Sequence, residues 1–346
     1  HNAHRSKKKI WTDAGAGQHI TMYEAHDERE EAQYIVETIT QLLADGYSES
    51  DFVVLYRTNA QSRVIEECFL KANLNYRIVG GIKFYERKEV KDILSYLALV
   101  ANGADTLALR RATASVKRGI GNKTFDKWVS AARDAGVDPI TFGGSDALVH
   151  VKIAKSTHKK IADFCRLIMD MRTFHKTHTV SELILYAYEK SGYKNVLLDG
   201  STEGETRHEN VKELLSVATK YDDIDNALQL FIEEVSLASD TDHINQNTNM
   251  VHLMTLHSAK GLEFPVVFIA GVEEGLIPHN RSMVSDAEME EERRLIYVGI
   301  TRAKKKVFLI HAHQRLLFGS VQGNLPSRFL DDIPARLVEA HKTELP

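Results

Sequence analysis

The hydrophobic positions of the first ninety residues switch between two periods. Residues 20–23 alternate as a short strand. A helix then opens at Asp27, where Glu30 three residues on gives the spacing of a capping box. Ala32, Ile35, Val36, Ile39, Leu42 and Leu43 recur at helical spacing until Gly46 ends the run. FVVLY at 52–56 predicts a buried strand, 60–72 a helix, and 76–79 a strand stopped by Gly80 and Gly81. Val90, Ile93, Leu94, Leu97 and Val100 mark a further helix. Strands separated by helices predict a parallel sheet.

From about residue 84 to 244 helical runs dominate, at 123–135, 153–174, 180–190, 210–220 and 227–238. Alternation then returns, with strands at 252–255, 266–270 and 307–312 and a helix at 287–300. The economical architecture is α/β: a parallel-sheet lobe of residues 1–83 and 245–346, interrupted by a mostly helical insertion of residues 84–244. The polar, Asn- and Asp-rich stretch 240–249 has the composition of a hinge or linker.

Composition narrows the class. With 346 residues, 43% of them hydrophobic, the chain can bury a core and form about two domains. No apolar run is long enough to span a membrane, and no apolar segment follows the basic N-terminus as a signal peptide would require. Cys68 and Cys165 supply neither a disulfide framework nor a thiolate cluster, which fits a reducing cytoplasm. His175 and His178 lie near a helix end, but no carboxylate or thiolate completes a metal site, so no metal is expected. His1 opens a polar stretch with no element start, as in a piece of a longer chain.

The net charge of −4 gives no overall attraction to nucleic acid, so charge matters only locally. Between residues 110 and 127, Arg110, Arg111, Lys117, Arg118, Lys123 and Lys127 face a single acid, Asp126. A patch of this kind can hold a phosphate backbone. Within it, the turn Gly119-Ile120-Gly121 opens a helix and exposes backbone N–H groups suited to a phosphate, or serves as a plain inter-helix turn. The acidic run from Asp286 to Glu292 is expected to be a solvated helix start favourable to the dipole. Arg302 sits where a helix gives way to a strand, free to face a neighbouring domain or to meet Glu290 to Glu292. Glu263 follows a Lys-Gly-Leu turn between two strands, and Lys260 can reach a phosphate or an acidic partner.

The longest motifs are LMTLHSAKGLEFP at 253–265 and EEERRLIYVGITRA at 290–303. They closely resemble motifs V and VI of the superfamily-one DNA helicases of the UvrD, PcrA and Rep group. The likeness extends to GLIPH at 275–279, LPSRF at 325–329, VLYRTN at 54–59 and VGGIKFY at 79–85, and so covers essentially the whole chain. It implies a RecA-like second lobe with a helical insertion. By this resemblance Arg302 neutralises charge on the γ-phosphate of ATP, and Glu263 contacts the ribose. Arg57, Asn59, Lys83, His257, His279 and Phe318 would line a single-stranded DNA track, where cations meet phosphates and rings meet bases. Lys117, Arg118, Gly119, Gly121, Lys123 and Thr124 resemble the helix-hairpin-helix-like duplex contact, which reads backbone rather than sequence.

The same resemblance implies ATP and Mg2+ held mainly by an N-terminal RecA-like lobe, single-stranded DNA and single/double-strand junctions as partners, and 3′-to-5′ polarity. Residues 1–12 are similar to the sequence just after motif IV. The chain contains no Gly-x-x-x-x-Gly-Lys-Ser/Thr loop and no strand ending in paired acids for magnesium. Alone it is therefore expected neither to hydrolyse ATP nor to unwind DNA. The alternatives are the matching lobe of a helicase–nuclease subunit, a non-catalytic DNA-binding adaptor, and an unrelated α/β enzyme.

Overall fold

The computed structural model describes residues 17–240 and 249–342. The segment 1–12 and most of the predicted hinge at 240–249 lie outside the described residues. The chain divides into two compact units, one on either side of a break after Phe84 and a return in the 240s.

The first unit begins with β1 (Ile20–Ala25), α1 (Glu28–Ala44), β2 (Phe52–Tyr56), α2 (Ser62–Lys71) and β3 (Tyr76–Ile78). The second holds α3 (Lys88–Ala101), α4 (Thr106–Ser115), α5 (Asn122–Asp134), α6 (Pro139–Gly143), α7 (Lys155–His175), α8 (Val180–Lys190), α9 (Tyr193–Leu197), α10 (Thr202–Ala218) and α11 (Ala227–Asp240). The first unit resumes with β4 (Val251–Thr255), β5 (Phe264–Ile269), α12 (Asp286–Ile300), β6 (Ala303–Ala312), the hairpin β7 (Gln314–Leu317) and β8 (Ser320–Gly323), and β9 (Val338–Lys342).

Among the described residues, β3-β4-β2-β5-β6-β1-β9 form one seven-stranded sheet in which every pairing is parallel. Parallel strands need long return connections that cover both faces, so β2 and β5 at the centre are apolar throughout. All five residues of β2 are buried. Phe52, Val54 and Tyr56 join a core with Ile35 and Ile39 of α1 and Phe69 of α2. Val53 and Leu55 join the opposite core with Leu295 and Ile296 of α12. Phe268 and Phe308 stack at 4.6 Å between neighbouring strands. The second unit packs around Tyr96, Trp128, Phe164, Tyr193 and Phe231, and Trp128 Nε1 donates to the Pro139 carbonyl at 2.9 Å. This is an α/β fold: a RecA-like parallel-sheet lobe interrupted by a mostly helical insertion. No helix among the described residues is long and apolar enough to cross a membrane.

Three details differ from the pattern reading. Asp27 caps α1 by accepting from the N–H groups of Arg29 and Glu30, but Glu30 reaches back to the N–H of His26, so the box closes one residue early. Strand β6 begins at Ala303 rather than 307, because its lysine-rich start pairs with β5 through Phe264 and Ala303. Helix α4, the β7–β8 hairpin and β9 had no clear apolar period; β8 is exposed throughout and β9 nearly so.

The hairpin is attached through a buried charge cluster. Arg315 of β7 pairs with Glu31 of α1 at 2.8 Å and with Glu273, just past β5, at 2.5 Å. Glu273 also accepts from the Ala312 N–H and from Asn324, whereas Glu31 has the Gly271 N–H. One guanidinium cannot neutralise two buried carboxylates. Burial outweighs Arg315 at Glu31 and pushes its carboxyl up from 4.5 to about 7, while Glu273 stays below its usual range. Protonated Glu31 therefore favours the fold at low pH, and that contribution is lost as pH rises through about 7. The unaltered chain should lose stability between roughly pH 5 and pH 8, and Glu31→Gln should flatten that fall, as read by urea unfolding at each pH.

Candidate functional site

Parallel strands place all their N-terminal ends on one edge of the sheet and all their C-terminal ends on the other. The sequence-predicted residues of the first unit divide between these edges.

At the N-terminal edge, Glu263 immediately precedes β5 and Arg302 immediately precedes β6. The two strands are neighbours, and the Phe264 N–H donates to the Arg302 carbonyl at 2.9 Å. Residues thirty-nine positions apart are thus held side by side. Arg302 is half-buried; its Nε donates to the Val298 carbonyl at 2.9 Å, Nη1 to the Leu262 carbonyl at 3.1 Å and Nη2 to the Thr301 hydroxyl at 3.1 Å. These neutral oxygens orient the guanidinium without cancelling its charge. Glu263 is exposed, with Lys304 Nζ at 3.7 Å, and Lys260 is exposed in the same turn.

Helix α12 delivers Arg302 to this edge, and Gly299 sets how closely its last turn approaches the sheet. A Cβ on Gly299 would lie 2.5 Å from Leu256 Cδ2 and 3.0 Å from Ile269 Cδ1.

At the C-terminal edge, Arg57 and Asn59 follow β2, Lys83 follows β3, His257 follows β4, and His279 lies in the connection after β5. Gln61 shapes the first turn, its Oε1 accepting from the N–H groups of Arg57 at 3.0 Å and Thr58 at 2.9 Å. Asn59, Lys83 and His279 are half-buried, and Lys83 Nζ lies 4.8 Å from the centre of the Tyr76 ring. Phe318 occupies the β7–β8 turn at φ 55°, followed by Gly319 at φ 79°.

Glu292 of α12 gathers this edge. Its carboxylate accepts from Arg57 Nε at 3.0 Å and Nη2 at 2.6 Å, from the His279 N–H at 3.2 Å and from the Ser282 hydroxyl at 3.2 Å. Burial raises its carboxyl, but these donors, Arg57 foremost, outweigh burial and hold it below the usual range. His257 is pushed below its ordinary value by burial and then by the Arg57 charge, which keeps the ring neutral at pH 7. The acidic run is therefore not uniformly solvated. Asp286 and Glu288 are exposed, whereas Glu292 is only 4% exposed. One signal was available: Glu292 shares helical spacing with the inward residues Leu295, Ile296 and Gly299.

In the helical unit, Gly119 adopts φ 71°, and Gly121 is the N-cap of α5, its carbonyl accepting from the N–H groups of Thr124 and Phe125. Lys117 and Lys123 are exposed and Thr124 is half-buried. Arg118, expected among the phosphate-facing groups, is instead tied to its own unit. Its Nη2 donates to the Ser191 carbonyl at 2.9 Å and the Tyr96 hydroxyl at 3.2 Å, and its guanidinium lies 5.2 Å from the Phe164 ring centre. Aromatic neighbours at a distance in sequence draw this cation inward, which local charge patterning could not reveal.

A RecA-like parallel-sheet lobe with a mostly helical unit inserted after β3 defines the class of this chain. The chain belongs to the UvrD-like helicase C-terminal domain family, which it matches over residues 1–314. It is 42% identical to a protein of Staphylococcus epidermidis named ATP-dependent DNA helicase PcrA, over 99% of this chain and 47% of that protein. A protein of the same name from Staphylococcus aureus is 40% identical over the same shares. The chain thus spans about half the length of the curated relatives it matches.

Because Gly299 has no room for a methyl group, Gly299→Ala should lift the end of α12 and cost roughly 1–3 kcal/mol, measured by urea unfolding.

Proposed function

We propose that this chain is the C-terminal portion of an ATP-dependent 3′-to-5′ DNA helicase and translocase. Residues 1–83 and 245–346 form its second RecA-like lobe, and residues 84–244 its duplex-contacting helical subdomain. The observation that carries this reading is the adjacency of Arg302 and Glu263 immediately before the first rung of the β5–β6 ladder, Phe264 with Ala303. A charged, oriented guanidinium beside an exposed carboxylate suits a nucleotide presented from outside: Arg302 to the γ-phosphate, Glu263 to the ribose hydroxyls. The phosphate loop and the acids that hold Mg2+ belong to an N-terminal RecA-like lobe on this reading, which the absence of a Gly-x-x-x-x-Gly-Lys-Ser/Thr loop supports. The protein works on DNA in the cytoplasm, at the nucleoid.

The opposite edge binds single-stranded DNA through Arg57, Asn59, Lys83, His257 and His279, with Phe318 of the hairpin offering a ring to a base. Backbone N–H groups at Gly119 and Gly121, with Lys117, Lys123 and Thr124, hold duplex phosphates, and Arg118 braces that turn from within. ATP binding closes the two lobes and moves this edge along the strand. Names of the relatives, which are DNA helicases, support the assignment.

Mixing the chain with a first-lobe polypeptide that carries the phosphate loop should restore DNA-stimulated ATP hydrolysis. Arg302→Ala in that mixture should lower the rate by about 10³–10⁵-fold, followed by phosphate release. ATP hydrolysis by this chain alone would refute the half-site. Replacing Gly119 and Gly121 together by bulkier residues should weaken binding to duplex oligonucleotides while sparing single strands; equal loss on both substrates would count against the duplex contact.

A further inference from the structure

Glu292 is a buried carboxylate within the 290–303 motif, and the resemblance assigns it no contact with ATP or DNA. It lies on α12, but its bonds reach two other segments: the turn after β2, through Arg57, and the connection after β5, through the His279 N–H and the Ser282 hydroxyl. The Arg57 side chain is 19% exposed and that of Glu292 only 5%. A planar guanidinium offers five N–H donors in a fixed fork. The pair occupies the Nε–Nη2 side of that fork, and Nη1 takes no part in it. Breaking the pair would strand a carboxylate away from water, so Glu292 keeps its hold on Arg57 whether or not a ligand is present.

We propose that Glu292 is a positioning residue for single-strand binding, fixing the Arg57 guanidinium and the His279 loop so that a phosphate meets a preformed cation at the C-terminal edge of the sheet. The proposal rests on the single-strand assignment of that edge. It assigns Glu292 no contact with DNA. A cation pinned on one side of its fork loses little further freedom when a phosphate docks on the other, which is where pre-organisation gains affinity.

The test is binding of this chain to a fluorescent oligodeoxythymidylate, by anisotropy across a series of salt concentrations, for Arg57→Ala, Glu292→Gln and the double variant. Arg57→Ala should weaken binding roughly tenfold and reduce the salt slope by ~0.7, the value for one phosphate contact on a single strand. Glu292→Gln should reproduce both changes, and the double variant should bind no more weakly than Arg57→Ala alone. Tighter binding by Glu292→Gln would mean that the carboxylate masks Arg57, and would overturn the proposal. So would an unchanged salt slope, or losses that add in the double variant. An unchanged Arg57→Ala, or no measurable binding by the unaltered chain, would instead overturn the single-strand assignment and this inference with it. If circular dichroism shows that Glu292→Gln does not fold, Glu292→Asp keeps the charge, withdraws the carboxylate by one methylene, and is judged by the same results.

Discussion

Every strand of the main sheet points the same way, and a parallel strand can be entered only from the end where its neighbour began. Each connection therefore crosses a face of the sheet, and the loops sort into two sets that never mix. This constraint keeps Glu263 and Arg302 on one edge and Arg57, Lys83, His257 and His279 on the other. It also dictates the cores. Return segments cover both faces, so β2 and β5 are apolar at every position.

Helix α12 is the element that touches both edges. Glu292, in its first half, ties down the C-terminal edge, and Arg302 lies just beyond its last turn. Eight residues separate Glu292 from the end of the helix at Ile300, about 12 Å along its axis. Its inward face is a mixed one: Leu295 and Ile296 fill the core, Gly299 permits close approach, and Glu292 carries charge into the interior.

Buried charge recurs in the first unit under two regimes. At Glu292, one carboxylate meets one guanidinium and two further donors, and its charged form is favoured. Around Arg315, two carboxylates compete for one guanidinium, and the less well supplied, Glu31, moves toward neutrality. Depth and number of donors together separate the two cases, since Glu31 is both the more deeply buried and the less well supplied. The second cluster anchors a hairpin whose strands have little apolar surface of their own, and with it the turn that carries Phe318.

Much of this arrangement was legible in the order of residues. FVVLY at 52–56 and its counterpart at 266–270 have the length and the β-branched and aromatic content of strands buried on both sides, and the helices between them follow from spacing of three and four. The change of period near residue 84 marked the inserted unit, because local periodicity responds to whether a segment lies on a sheet or in a bundle. Contacts between distant segments were another matter. The sequence separates Glu263 from Arg302 by a turn, a strand and a helix, and only strand pairing makes them neighbours. Arg118 belongs to a basic run, yet Tyr96, Phe164 and Ser191 draw it inward. Glu292 belongs to an acidic run, yet its place on the helical face turns it toward Arg57. Local pattern sets which residues face inward along an element; which partner waits there is decided by packing between elements, and for a charged side chain that partner determines its role.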